Sequence, residues 1–435
     1  MVKAPRGKGW PGILLFLLFV GTTGLLAATD LRAASIIVEA GGGGLKKALA
    51  AASPGDMLIL RRGVHKGPVV VSRSLTLQGE RGAIVDAGGR GSVITVAAAK
   101  VTIRGLMVRR SGSSLQKMHA GIFLTETAHG ALIERNRMMG NLFGVYLLGP
   151  NNAIVRANVI HGRRDLRVNE RGNGIQLWRT PGSRIIGNDV RYGRDGIYTD
   201  TSRKNVFRGN RFRDLRFAIH YMYTNQSTIA DNISIGNDIG YAIMYSRNLR
   251  ITGNLSQGDS EYGLFFNYTN RSRVERNVVR GGARKCVFIY NANKNRFREN
   301  RFEGCGIGVH FTAGSEGNAI TGNGFIGNRR QIKYVGTRSL DWSIDGRGNY
   351  WSDNTGFDLD GDGIADTAYR PNDMIDRIVW AHPSAKVLLN SPAVKMLRWA
   401  QSRFPALYPG GVVDSAPLMQ APLVRMKPFA GGAGK

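Results

Sequence analysis

One asparagine returns along the middle of this chain at a near-constant interval, and few folds accommodate such a repeat. Asn136, Asn158, Asn188, Asn210, Asn232, Asn254, Asn277, Asn300 and Asn323 are separated by 22, 30, 22, 22, 22, 23, 23 and 23 residues. An apolar residue stands three positions ahead of each, from Ile133 and Val155 to Phe297 and Ile320. Later in most units a small residue precedes an aliphatic one, as in Gly144-Val145, Gly196-Ile197, Ala218-Ile219 and Gly308-Val309. Self-similarity at roughly 20 to 50 residues marks a solenoid, whose units bury their apolar face only by stacking. These units are rich in Gly and Asn, hold short alternating runs and have no stripe long enough for a helix. They read as three short strands and three turns. Stacked coils place equivalent residues about 4.8 Å apart, so a repeated turn asparagine can bond to its copies above and below. The expected fold is all-β, a right-handed parallel β-helix.

The rest of the chain reads as dressing on that solenoid. Residues 1–34 form a secretory signal, with basic Lys3, Arg6 and Lys8, an apolar run Ile13 to Val20 and small Ala27-Ala28 and Ala33-Ala34. That apolar run is too short to span a bilayer comfortably. Residues 35–108 are an N-terminal cap and degenerate first coils, in which a helix from Leu45 to Ala52 plugs the open end. Regular coils fill 109–345, and a terminal turn with an Asp-rich loop fills 346–372. Residues 373–435 are a helical extension with Ser391 as N-cap and Pro392 at the first helical position. A disordered basic tail is expected after it.

The chain carries +29, and removing the signal, with its four cations and one anion, leaves +26. Such a surface suits nucleic acid, anionic lipid or an acidic protein, and export sets nucleic acid last. Arginines recur with the coil period (Arg208, Arg211, Arg213, Arg216, then Arg271, Arg273, Arg276, Arg280), as stripes that either dock a partner or keep a stacked sheet soluble. Cys286 and Cys305 lie in adjacent coils and suit an oxidising compartment, either as a disulfide or as two buried thiols.

Aligning coils on the aliphatic residue gives a core column through Ile122, Val145, Ile175, Ile197, Ile219, Ile243, Leu264, Val287, Val309 and Ile332. Strand alternation turns the next residue outward: Phe123, Tyr146, Gln176, Tyr198, His220, Met244, Phe265, Phe288, His310 and Lys333. This column reads either as an aromatic ladder that stiffens the sheet or as a contact groove. His220 beside Met244 makes a soft pair suited to Cu(I). Insertions at "SGSSLQKMH" and "RRDLRVNER" leave the same corner, so Met118, His119, Met139 and His161 are expected to converge as a second soft-donor group. Hard donors sit elsewhere: Asp358, Asp360, Asp362 and Asp366 occupy positions 1, 3, 5 and 9 of an EF-hand-like loop with Gly363 at 6. Tyr369 stands at position 12 in place of Glu. The reading is structural Ca²⁺, against an Asx-rich turn.

Several runs outside the repeat carry a resemblance. "NERGNGIQLW" (169–178), "HYMYTN" (220–225), "KCVFIYNANKNRF" (285–297), "GCGIGVHFTAGSE" (304–316), "GRGNYWSD" (346–353) and "FDLDGDGIAD" (357–366) resemble the NosD family of periplasmic maturation proteins of nitrous oxide reductase. The likeness runs through the mature chain to about residue 420. It implies a non-catalytic periplasmic β-helix, peripheral to the inner membrane, that works with an ABC transporter's membrane and ATPase subunits. It implies further partners, nitrous oxide reductase and a copper chaperone lipoprotein, and a role in assembling the copper–sulfur centre through transient Cu(I) or sulfur supply. The rival from another class is a polysaccharide-acting lyase or epimerase. That chemistry needs acid and base groups gathered on one groove, and the outward column holds no Asp or Glu. Asp195, Asp200 and Arg203 are the nearest candidates.

Overall fold

The computed structural model describes residues 33–336, 338–372, 374–389, 391–404 and 411–429. The expected signal segment, apart from its last two residues, lies outside them. From residue 33 onward the chain winds as a right-handed parallel β-helix of three sheets with 13, 12 and 13 strands, each full coil giving one strand to each sheet. The first sheet runs from Ser35–Val38 to Ala319–Thr321, the second from Val69–Val71 to Ile332–Val335, and the third from Gly63–Lys66 to Tyr350–Trp351. In the regular coils the first and third sheets use three-residue strands. The second uses longer ones such as Phe217–Met222 and Tyr262–Asn267, so it offers the broadest flat face.

The asparagine repeat is the spine of the coil. Asn158 Oδ1 accepts from the backbone N–H of Asn136 at 3.0 Å and from its Nδ2 at 3.1 Å, while Asn158 Nδ2 donates to Ile133 O at 2.9 Å. The pattern repeats through Asn323, and each of these side chains is at most 1 % exposed. A buried primary amide is costly unless its donors and acceptor are used; here each is. The apolar residue three positions earlier points inward on the first sheet, where Ile133, Val155, Ile185, Phe207, Ile229, Ile251 and Val274 are fully buried. The ladder goes on to Asn349 and closes on Asp414, whose Oδ2 accepts from Asn349 N at 2.7 Å and Trp351 Nε1 at 2.8 Å.

Both ends are covered. Helix Gly44–Ala51 buries Leu45 and Leu49 over the first coil. Helices Met374–Ala381 and Pro392–Arg403 follow the last coil, Ile375, Val379 and Val394 packing together and Ser391 Oγ accepting from Val394 N at 3.4 Å. Val412–Val413 then returns beside Leu340–Asp341. The tail was expected to be disordered, but its described part, to residue 429, lies extended along the third sheet. Pro422 O accepts from Arg301, Lys427 Nζ meets Asp231 at 3.2 Å, and Phe429 lies under Arg211 at 4.5 Å. Its anchors are spread over coils at the rate an extended chain covers them. Cys286 and Cys305 are joined as a disulfide with Cα atoms 5.6 Å apart.

One register differs from the sequence alignment. Strand Ile239–Met244 pairs so that Ile219 faces Tyr241, His220 faces Ala242 and Met222 faces Met244. The pair that marks this coil is Gly240-Tyr241, not Ala242-Ile243. Tyr241 fills the core with its hydroxyl donating to Asn232 O or Leu255 O, each at 2.9 Å. His220 is therefore not beside Met244. Strand faces alternate every two residues, so an offset of two leaves the inside and outside patterns intact and hides the error.

Candidate functional site

His220 and Met222 stand two residues apart on strand Phe217–Met222 and so share the outward face of the second sheet. Met244, the register partner of Met222, adds a second thioether one coil on. Behind them, Asp195 is fully buried and its carboxylate accepts from His220 Nδ1 at 3.0 Å. Arg216 clamps the same group through Nε at 2.9 Å and Nη2 at 2.8 Å. Burial pushes Asp195 upward, but the bonds from His220 and Arg216 outweigh it and hold the carboxyl below the usual range. A carboxylate on Nδ1 fixes the imidazole tautomer and leaves Nε2 as the lone-pair donor. Phe217 and Tyr198 pack edge-on to the His220 ring at 5.0 and 4.8 Å. Tyr198 Oη donates to Asp200 at 3.2 Å and lies 3.7 Å from Met222 Sδ; burial, then the Asp200 charge, push its pKa up to about 12. The phenol stays protonated, so the face offers imidazole and thioether beside an aromatic wall. Such a donor set suits Cu(I) and is poor for hard cations. Met222 escaped the sequence reading because the alignment put Met244 opposite His220; the "HYM" run itself was the available signal.

The second expected group is half assembled. Met139 and His161 are register partners on the third sheet and line one groove of about 830 Å³ with Arg110, Arg163, Arg164 and Tyr192. Burial, with Arg191 and Arg137, outweighs the pull of Asp189 and lowers the His161 pKa, favouring the neutral ring. Met118 and His119 do not join them. Met118 instead packs on the Ala120, Leu142, Phe143 and Tyr146 cluster together with Leu166, so each insertion folds one apolar side chain over that patch. His119 Nδ1 accepts from Ser114 N at 3.3 Å inside its own loop.

At the C-terminal turn the carboxylates of Asp358, Asp360 and Asp362 gather with ligand atoms within 4.8 Å of one another. Asp366 stands apart and accepts from Leu359 N at 2.9 Å. Tyr369 is no ligand either: it stacks on Trp351 at 4.8 Å and donates to Asp353 at 2.7 Å. Three hard oxygen donors in a Gly-punctuated loop fit Ca²⁺ chemistry.

The acid–base alternative finds little to work with. Asp195 is buried and doubly paired, and Asp200 is held by Tyr198 and by Thr201 Oγ1 at 2.8 Å. Arg203 lies in the turn that follows, where its backbone forms a β-bridge with that of Asn225.

The family model described as "Periplasmic copper-binding protein (NosD)" matches residues 156–356. A protein of Stutzerimonas stutzeri named "Probable ABC transporter binding protein NosD" is 41% identical over 381 residues, 84% of this chain and 87% of its own. The chain belongs to the NosD family. A Pseudomonas aeruginosa NosD of the same name is 43% identical over 382 residues, covering 85% and 89% of the two chains. NosD proteins are periplasmic, and so is this one. Among the described residues no helix is long and apolar enough to cross a membrane. A solved Yersinia enterocolitica family 28 exopolygalacturonase superposes with a TM-score of 0.54 at 10% identity, covering 69% of this chain and 77% of that one. At that identity the likeness speaks for the fold alone.

Proposed function

We propose that this NosD protein is a non-catalytic periplasmic assembly factor that works with an ABC transporter to deliver copper for the copper–sulfur centre of nitrous oxide reductase. The observation that carries the reading is the soft-donor face of His220, Met222 and Met244, backed by Asp195 and Arg216. The names of its relatives, copper-binding and ABC transporter binding, agree with it. Cu(I) is cargo here, held by an imidazole and two thioethers, which bind it softly enough to hand on. Met139 and His161 form a lesser contact. A copper chaperone lipoprotein is the expected donor, nitrous oxide reductase the recipient, and sulfur supply the alternative cargo of the same machinery. Exposed Val387, Leu388 and Met396 on the C-terminal extension are the proposed contact with the transporter. Structural Ca²⁺ at Asp358, Asp360 and Asp362 completes the assignment.

The test is a Cu(I) titration of the mature chain under reducing conditions against a chromogenic chelator. Stoichiometric binding that weakens about 10- to 100-fold in H220A and in M222L/M244L supports a copper carrier. Binding that is absent, or equal in wild type and variants, removes His220, Met222 and Met244 from the assignment.

A further inference from the structure

The corner that follows the second sheet carries an aromatic stack and a row of arginines that neither the fold nor the copper face uses. Tyr223, Tyr245 and Tyr268 stack face to face at centroid distances of 5.0 and 5.2 Å, with interplanar angles of 14° and 8°. They remain 50, 39 and 43 % exposed, so the stack is not there to fill a core. Each also sits at positive φ, +42°, +48° and +49°. That region costs an ordinary side chain about 1–2 kcal/mol; the turn imposes it in the neighbouring coils too, on Gly149, Arg179, Thr201 and Asn291. Three large aromatics kept stacked and exposed at a turn position that suits Gly or Asn point to something laid across them.

Beside the stack run two grooves of about 880 and 630 Å³ that share Arg247 and Arg271 and so form one channel. Backbone bonds from Asn152 through Lys294 show that the channel crosses seven coil steps, from Asn151 to Glu316, or about 34 Å at the spacing of stacked strands. Arg203, Arg247 and Arg271 are exposed along it, and among the described residues none has a carboxylate within ion-pair distance. This contrasts with Arg211, Arg213 and Arg216, in the coil of Arg203, which are spent on Asp189 and Asp195. The amide oxygens of the floor are spent too: Asn225 Oδ1 accepts from Arg247 N at 2.9 Å and Asn270 Oδ1 from Asn293 N at 2.7 Å. What faces outward is guanidinium groups and aromatic rings, with the amides of Asn151, Gln226 and Asn248 exposed between them and Glu316, at one end, paired with Arg338. Guanidinium groups with no carboxylate of their own match a carboxylate-bearing chain, and the exposed rings match its apolar side chains.

We propose that this arginine–tyrosine channel docks an acidic, extended segment of a partner protein. About ten residues of extended chain span it. The choice of a protein rests on the reading above, that this chain acts through protein partners; the channel itself is independent of the copper face. Three unpaired arginines would speed encounter and make it salt-sensitive.

The test uses the full mature chain and a fluorescein-labelled peptide of about ten residues alternating Glu with Phe and Ser, followed by anisotropy. Binding is expected to weaken at least tenfold in R203E/R247E/R271E and with added salt. In Y223N/Y245N/Y268N it should weaken about fivefold while Tm holds or rises, because Asn accepts positive φ more readily. Cu(I) titration of both variants should match wild type, so a failure of the copper reading would leave this result standing. No peptide binding, or binding equal across all three proteins, overturns the proposal. So does an oligogalacturonate that binds more tightly than the peptide and is lost in the same variants, since the channel would then be a polysaccharide site.

Discussion

Asp259 is a fully buried carboxyl at a turn where the preceding coil places Asn237. It accepts from Ser234 Oγ at 2.9 Å, Ser256 Oγ at 2.6 Å and Asn237 N at 2.8 Å. Burial still dominates and pushes its pKa up to about 6. A carboxyl whose folded pKa is raised favours folding most when protonated. Its contribution is intact below the ordinary carboxylate pKa near 3.8 and is lost as pH climbs through about 6. Above that pH the folded chain therefore holds a buried charge that the three hydrogen bonds only partly offset. Replacing it with the neutral Asn used one coil earlier should raise stability at pH 7.5 by about 1–3 kcal/mol. The rise in Tm that wild type shows between pH 7.5 and pH 5 should flatten in D259N. Urea and thermal melts at both values measure this; a D259N protein less stable than wild type at pH 7.5 would mean the charge is answered by something other than the three hydrogen bonds.

At the level of the element, the asparagine ladder predicts its own weak point. In Asn232→Ala the backbone N–H and Nδ2 of Asn210 lose their acceptor, and Phe207 O and Asn254 Oδ1 lose a donor. Stranded buried polar groups cost about 1–3 kcal/mol each before relaxation, so a loss of about 2–4 kcal/mol and a Tm fall of roughly 2–5 °C are expected by circular dichroism. A fall under a degree would show that the ladder decorates the turn rather than holding it. The ladder was legible in the sequence because its asparagines never change face or role. The site was legible only in part. His220 was picked out as an outward residue, but Met222 was not, because strand periodicity cannot see an offset of two and Tyr241 does not look like a core residue. Met118 was read as a ligand since thioether and apolar side chain are one residue type; only the packing on Phe143 and Tyr146 tells them apart. Asp366 was counted with its neighbours by spacing; all four accept backbone N–H bonds, but only the carboxylates of Asp358, Asp360 and Asp362 come within 4.8 Å of one another.

For the whole molecule, a solenoid's stability is a sum of coils and their interfaces, so its ends decide how it unravels. The N-terminal end is closed by the local helix Gly44–Ala51, but the C-terminal end borrows its closure from residues far along the chain. Asp414 terminates the ladder at Asn349 and Trp351, Val412–Val413 pairs with Leu340–Asp341, and Leu418 bridges to Tyr350 and Ile364. Beneath them lies a stack of Phe325, Trp351 and Tyr369, with Trp342 against it. None of the returning strand's pairings reads from sequence, because its partners lie 45 to 74 positions away with no repeat linking them. A chain ending at Phe404 keeps every regular coil and loses that closure. Its tryptophan emission should shift to the red as Trp351 and Trp342, now 1 and 3 % exposed, meet water. Hydrogen exchange should quicken from residue 324 onward while amides between Asn136 and Asn300 keep their protection, the signature of fraying from one end. D414A in the full chain should reproduce a milder form of the same pattern. If exchange instead rises evenly along all coils, the solenoid folds as one cooperative unit and the returning strand matters to its whole length; if nothing changes, the end coil is stable without its cover.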